Sequence, residues 1–137
     1  MTVLLVDAAN VVGSRPDGWW RDRAGAATRL LDRLAALPGR SLTGPDGGDV
    51  LCDEVVAVVE GQARDVPAPD GVRLERASGS GDDVLAACAA RLSGEGRPLL
   101  VVTADRGLRG RLPAGAAVTG PGWLLARLDE IGRARPA

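Results

Sequence analysis

Short apolar runs alternate along this chain with segments of helical spacing and with polar loops. Runs rich in β-branched residues are typical of strands that are buried on both faces of a parallel sheet. They predict strands at residues 3–6, 54–59, 72–76, 98–103 and 116–118. Apolar residues spaced three and four apart, with Pro and Gly near the ends, predict helices at residues 20–36, 82–92, 105–112 and 121–131.

The order of these elements predicts the fold class. Strands that alternate with helices throughout favour a parallel sheet, so we expect an α/β protein. Its architecture would be a three-layer α/β/α sandwich around a mainly parallel sheet of about five strands. The length of 137 residues suits a single domain, which we place at residues 1–132, with 133–137 as a frayed C-terminal tail. Segments 39–53 and 62–71 are expected to be loops.

Acidic residues follow each of the major predicted strands. Asp7 follows the first strand, Glu60 the second, and Asp105 the fourth, while Asp82 and Asp83 come shortly after the third. The carboxyl ends of parallel strands lie along one edge of a sheet, so these side chains are expected to meet there. Such a cluster must hold a cation, share protons or separate. Because Mg²⁺ and Mn²⁺ prefer oxygen ligands, the pattern is a hypothesis about a metal site.

Each acid also has a local structural interpretation. Asp7 and Asp105 could cap the turns that follow them, and either Ser80 or Asp82 could be the N-cap of the next helix. Glu60 could be a solvated loop residue. Capping alone does not predict an acid after every major strand, which favours the joint interpretation.

The composition restricts the available chemistry. The chain has no histidine and no tyrosine, which excludes Ser-His-Asp and Cys-His catalysis and His-ligated zinc. Cys52 and Cys88 share no metal-binding spacing, and Cys88 is expected to be a small core residue. The net charge is −1, with 17 arginines and no lysine, so no overall attraction to polyanions is expected.

The N-terminus has no basic region of the kind that opens a signal peptide. No apolar run approaches the roughly 20 residues of a membrane span. We therefore expect a cytoplasmic protein that does not enter a membrane.

Three motifs carry a family resemblance: VLLVDAANVVGSRPDGWW, GSGDDVLAA and VVTADRGLRGRL. In order and spacing they resemble the NYN/PIN-like nuclease superfamily, and the Asp-x-x-Asn spacing of Asp7 and Asn10 is closer to the NYN branch. The family's central aspartate corresponds to Asp82, and its Thr/Ser-x-Asp corresponds to Thr103 and Asp105. The resemblance implies a PIN-like, Rossmann-like fold. The Glu that PIN domains usually carry on an intervening helix has no clear counterpart here.

The resemblance further implies a metal-dependent ribonuclease that hydrolyses phosphodiester bonds, with single-stranded RNA as its substrate. The residues expected to be catalytic are Asp7, Asn10, Asp82 and Asp105. The ligands expected for one or two Mg²⁺ or Mn²⁺ ions are Asp7, Asp82, Asp83, Asp105 and Glu60, where Glu60 would replace the missing helical Glu. The residues expected to contact substrate are Thr103, Arg106, Ser80, Arg15, Trp19, Trp20 and Arg21.

The Trp19-Trp20 pair lies after the first strand, at the edge where the acids are expected. Tryptophan stacks on unpaired bases and arginine binds phosphate, so this segment is interpreted as substrate-gripping. One indole of the pair is expected to hold the start of the helix against the core, and the other to be partly exposed. Trp123 is expected in the core or in the wall of the crevice.

Two other functions stay open from the sequence. One is a non-catalytic nucleic-acid or protein-binding module on the same fold, and the other is a small-molecule nucleotide phosphohydrolase. A haloacid-dehalogenase phosphatase would need Asp at position 9, which is Ala9 here. AANVVG does not match the Gly-rich loop of a nucleotide-binding Rossmann domain. The resemblance also leaves a homodimer open, since related domains often pair.

Overall fold

A computed structural model describes residues 1–134 of the chain. Its strands are β1 (Thr2–Asp7), β2 (Ser41–Thr43), β3 (Asp49–Val59), β4 (Val72–Arg76), β5 (Leu99–Val102) and β6 (Ala117–Thr119). Its α-helices are α1 (Ala8–Gly13), α2 (Arg23–Leu34), α3 (Gly81–Gly94), α4 (Arg106–Arg109) and α5 (Pro121–Ala134). Single 3₁₀ turns are formed by Trp19–Arg21 and Gly61–Ala63.

The sheet places the ends of the major strands together. Five strands pair in parallel in the order β4-β3-β1-β5-β6, while β2 pairs antiparallel with the first residues of β3. Strand β1 is central, with β3 on one side and β5 on the other. Since the five parallel strands run in one direction, the segments that follow β1, β3, β4 and β5 emerge along one edge.

Two apolar layers cover the sheet, because successive side chains of a strand point to opposite faces. Leu4 and Val6 of β1 belong to the core that also contains buried residues of α1, α2 and α5. Val3 and Leu5 belong to the opposite core, with buried residues of α3 and α4. The predicted three-layer α/β/α sandwich with a mainly parallel sheet is therefore confirmed.

The structure differs from the predicted elements between β1 and α2. Residues 8–13 form the short helix α1, which the sequence pattern did not predict. The predicted helix 20–36 is divided into the Trp19–Arg21 turn and α2, which begins at Arg23. Asp22 causes the division: it is the N-cap of α2, and its carboxylate accepts a hydrogen bond from the amide of Gly25 at 2.9 Å.

The predicted loop 39–53 was wrong, since it contains β2 and the start of β3. The two strands are joined by a tight turn in which the amide of Gly44 donates to the carbonyl of Gly48. Gly47 has φ +89°, a left-handed conformation that glycine adopts without strain. Abundant Gly, Pro and Asp in this segment therefore marks a hairpin turn rather than a long loop.

Helix α5 continues to Ala134, beyond its predicted end at 131 and into the predicted tail 133–137. Residues 135–137 of that tail lie outside the described part of the chain. Among residues 1–134, no helix is long and apolar enough to cross a membrane. Cys52 and Cys88 are both buried free thiols, and burial raises the pKa of Cys52 to about 11.

Candidate active site at the carboxyl edge of the sheet

Asp7 ends β1 and is 7% exposed. Its carboxylate accepts hydrogen bonds from the backbone amide of Asn10 at 3.3 Å and from the Asn10 side-chain amide at 3.1 Å. It also accepts a bond from the hydroxyl of Thr103 at 3.0 Å. Asp7 is the N-cap of α1, so the capping interpretation and the site interpretation describe one and the same side chain.

Burial raises the pKa of Asp7 above its ordinary value. The hydrogen bonds from Thr103 and Asn10 oppose this shift, and the negative charges of Asp82 and Glu60 add to it. Two acids that follow other strands, Glu60 after β3 and Asp82 after β4, thus act on the carboxyl group at the end of β1.

The segment after β5 is hydrogen-bonded to the end of β1 and to α1. The side-chain oxygen of Asn10 accepts a hydrogen bond from the backbone amide of Ala104 at 3.2 Å. The hydroxyl of Thr103, which donates to Asp7, accepts from the backbone amide of Asp105 at 3.2 Å. Thr103 is 0% exposed, so its hydroxyl positions these acids and does not reach a phosphate in this conformation.

Asp105 and Asp82 face each other from the starts of two helices. Asp105 is the N-cap of α4, where it accepts a hydrogen bond from the amide of Leu108 at 3.1 Å. Asp82 lies in the first turn of α3. Desolvation raises the pKa of Asp82, and the charges of Asp105 and Glu60 raise it further, while Arg111 lowers it.

Glu60 connects the end of β3 to the start of α3. Its carboxylate accepts a short hydrogen bond from the amide of Gly81. A methyl group at position 81 would lie 3.1 Å from that carboxylate, which is closer than ordinary contact. The small residue at Gly81 therefore allows Glu60 to approach the helix, and the interpretation of Glu60 as a purely solvated loop residue is wrong.

Asp83 and Ser80 are both engaged in other contacts. The carboxylate of Asp83 is largely exposed and forms a 2.7 Å salt bridge with Arg111. The hydroxyl of Ser80 accepts a hydrogen bond from the amide of Asp82 at 3.3 Å, so Ser80 is the N-cap of α3. In this conformation Asp83 faces an arginine and not the other acids.

The acids do not form a complete coordination shell. Within residues 1–134, no three His, Cys, Asp or Glu side chains lie close enough together to hold a metal ion. The donors nevertheless suit a hard cation in kind, since all are carboxylate oxygens. Burial is the main cause of the raised pKa of Asp7 and of Asp82, and the repulsion between the acids adds to it. A bound cation would relieve that repulsion.

A cavity of about 410 Å³ lies beside Glu60. Residues of α1, of α2 and of both 3₁₀ turns line it, together with Glu60, Gly79 and Ser80. Trp19 forms part of its wall, and Trp20 beside it is 51% exposed. The pair therefore divides into the half-buried indole of Trp19 and the exposed indole of Trp20. Trp19 packs beside the cavity and not against the apolar core, where one indole of the pair was expected. Trp19 lines the cavity, whereas Trp123 packs against the core and donates to the carbonyl of Thr43 at 3.0 Å.

The predicted substrate-binding arginines lie in different environments. Arg15 and Arg33 both pair with Asp129, at 2.9 Å and 2.7 Å, and these bonds lower the pKa of Asp129 to about 2. Arg21 and Arg106 are exposed.

The sequence did not indicate Arg111 and Gly81, because their roles depend on side chains that lie far from them along the chain.

No family model and no curated protein matches this sequence. The crystal structure of Rae1 (YacP) from Bacillus subtilis is similar, with a TM-score of 0.69 and 21% identity over 97% of this chain and 76% of that chain. The crystal structure of a tryptophan-to-leucine mutant of Rae1 gives a TM-score of 0.65 and 21% identity over 96% and 76%. These similarities confirm the predicted PIN-like α/β fold.

Proposed function

We propose that this protein is a Mg²⁺- or Mn²⁺-dependent ribonuclease that hydrolyses phosphodiester bonds in single-stranded RNA. The observation that carries the proposal is the bonding of Asp7 to Thr103, and of Thr103 to Asp105, across the carboxyl edge of the sheet. These three residues belong to the first and last of the motifs that resemble NYN/PIN-like nucleases. Asp82, from the remaining motif, acts on the same carboxylates.

The residues proposed to hold the cation are Asp7, Asp82 and Asp105, with Glu60 as a fourth ligand. Asp83 would join them only after leaving its salt bridge with Arg111. A bound divalent cation would supply a hydroxide nucleophile near neutral pH and would neutralise charge on the phosphoryl group. Since the proposed ligands are all carboxylates, no histidine is needed.

The other residues would position these groups and the substrate. Asn10 and Thr103 donate to both oxygens of Asp7 and so fix the plane of its carboxylate. Fixing a ligand in advance avoids part of the cost of ordering it when the cation binds. Arg106 is exposed beside Asp105, where its guanidinium could pair with a phosphate of the RNA backbone.

The test is cleavage of a labelled single-stranded RNA by the purified protein with Mg²⁺ or Mn²⁺. Asp7→Asn and Asp105→Asn should abolish cleavage while circular dichroism shows a folded protein. Asp49→Asn is the matched control, because Asp49 is an exposed acid at the start of β3, away from the carboxyl edge. Intact RNA under all conditions, or equal cleavage by all variants, would contradict the proposal.

Two observations favour other functions on the same fold. The absence of a preassembled group of three acids within residues 1–134 favours a non-catalytic nucleic-acid or protein-binding module. Such a module would bind its partner equally well after Asp7→Asn. The cavity of about 410 Å³ is large enough for a small ligand and favours a nucleotide phosphohydrolase. That enzyme would release phosphate or pyrophosphate from nucleotides and leave RNA intact.

A further inference from the structure

We propose that the cavity lined by Trp19 binds one unpaired nucleobase of the RNA strand, immediately beside the scissile phosphate. The inference rests on the proposed function, because the base would belong to the strand that the carboxylates cut. It adds a specificity site, formed by α1, the start of α2 and both 3₁₀ turns, to a site that otherwise recognises only phosphate.

The walls of the cavity suit a planar, partly apolar ligand. Its volume of about 410 Å³ lies in the range of small-molecule pockets. Ala9, Val12 and Ala27 provide apolar surface, and the indole of Trp19 provides an aromatic ring. Stacking on an aromatic side chain is the usual way in which proteins hold unpaired bases.

The indole of Trp19 is held in place by its neighbours. The guanidinium carbon of Arg23 lies over the ring, 5.2 Å from its centroid. The ring of Trp20 lies at 88° to it, with the centroids 6.0 Å apart. A side chain that is already ordered loses little conformational entropy when a base stacks on it. The geometry therefore favours a fixed stacking surface over a flexible surface residue.

Glu60 and Ser80 connect this cavity to the carboxylates. Both residues line the cavity. Glu60 is also bonded to Gly81 and raises the pKa of Asp7 and of Asp82 by its charge. A base in the cavity would therefore contact Glu60 itself and would lie beside Ser80, two positions before Asp82. Polar groups on Gln62 and Ser80 are available at the cavity for the hydrogen-bonding edge of a base.

Charge at the cavity favours a nucleic-acid strand over an apolar peptide. Arg23 lines the cavity with its guanidinium over Trp19, and Arg21 is exposed two positions after Trp19. Phosphates that flank a bound base would pass these two arginines and could pair with them. An apolar peptide segment would gain nothing from these arginines. The cavity and the two arginines together fit a base with its attached phosphates.

The test is binding of dye-labelled RNA heptamers of adenosine, cytidine or uridine, measured by fluorescence anisotropy in low salt with EDTA. Without divalent cations the strand is not cut, so binding is separated from cleavage. Trp19→Ala removes the stacking surface. Ala9→Leu fills the cavity from an exposed position on α1 and leaves Trp19 in place. Trp123→Ala is the matched control, since it truncates another half-buried tryptophan, on α5, outside the cavity.

We expect Trp19→Ala and Ala9→Leu each to weaken binding of at least one heptamer about tenfold, the effect of losing one base stack. Trp123→Ala should change the affinity less than twofold, although it lowers the melting temperature. Equal binding by all folded variants would overturn the base site, as would failure of the unmodified protein to bind any heptamer.

The cleavage assay separates this inference from the proposed function. Cleavage that is unaffected by Trp19→Ala and Ala9→Leu would overturn the base site and leave the ribonuclease intact. Heptamer binding that depends on Trp19, in a protein that cuts no RNA, would support the base site and overturn the ribonuclease.

Discussion

The hydroxyl of Thr103 donates a 3.0 Å hydrogen bond to the carboxylate of Asp7, which lies 96 positions earlier in the chain. The same hydroxyl oxygen accepts a hydrogen bond from the backbone amide of Asp105. One fully buried hydroxyl thus joins the ends of β1 and β5, which are neighbours in the sheet. The two acids that flank it are fixed relative to each other by the fold itself.

Thr103→Val should destabilise the protein, because the change leaves the amide of Asp105 without its partner and removes a donor from Asp7. The expected loss is about 1–3 kcal/mol in the free energy of unfolding, measured with urea. The pKa of Asp7 should also rise, since the bond from Thr103 lowers it. Thr103→Ser, which keeps the hydroxyl, should retain most of the stability and the lower pKa. If valine and serine behave alike, the bond has no energetic role.

The stability of the protein should depend on pH through Asp7. Its pKa in the folded state is raised above the ordinary 3.8, so the folded state holds this proton more tightly than the unfolded state. Its stabilising contribution is therefore complete below about pH 3.8 and is lost as the pH rises through the folded-state pKa. As the pH rises from about 3.8 through the folded-state pKa of Asp7, the free energy of unfolding of Asp7→Asn should therefore increase relative to that of the unmodified protein. Urea unfolding at a series of pH values would measure this difference.

Asp129 should affect the pH dependence of stability in the opposite direction to Asp7, so the two residues can be compared within one protein. The arginines that surround it lower its pKa to about 2, so its contribution is present above pH 3.8 and is lost as the pH falls through about 2. Asp129→Asn should therefore lose stability at neutral pH and differ least from the unmodified protein in strong acid. Parallel pH trends for Asp7→Asn and Asp129→Asn would contradict the opposite shifts.

Gly81→Ala should impair cleavage more than it impairs folding. The added methyl group would lie 3.1 Å from the carboxylate of Glu60 and would displace it, while alanine favours the helix by up to about 1 kcal/mol. Gly94→Ala is the matched control in the same helix, since a methyl group there meets nothing within 4 Å. It should raise stability by about 0.4–1 kcal/mol and leave cleavage unchanged. Equal cleavage by both variants would show that the position of Glu60 is unimportant.

Much of the fold could be predicted from the sequence, because buried parallel strands are continuous apolar runs. The run before Asp7 gave β1, and LLVVTA gave β5 close to its observed bounds. Helix α1 could not be predicted because six residues are too few to show the spacing of a helix. Its N-cap, Asp7, was interpreted only as the cap of a turn. Strand β2 and the start of β3 could not be predicted because the Gly, Pro and Asp residues of the turn around Gly47 are also typical of a loop.

The candidate site could be predicted only in part. Strand order alone placed Asp7, Asp82 and Asp105 at one edge, and their mutual effects on pKa support that placement. The pairing of Asp83 with Arg111 could not be predicted, because it depends on how α3 and the segment after α4 pack together. The cavity beside Trp19 likewise depends on α1, which the sequence pattern did not reveal.

Binding of Mn²⁺ tests most directly whether the acids form one cation site. Electron paramagnetic resonance of free Mn²⁺ would measure it without requiring any RNA. We expect the unmodified protein and Asp49→Asn to bind Mn²⁺ with equal affinity, and Asp7→Asn and Asp105→Asn to lose that binding while remaining folded. No bound Mn²⁺, or the same affinity in all four proteins, would contradict a cation site at Asp7 and Asp105.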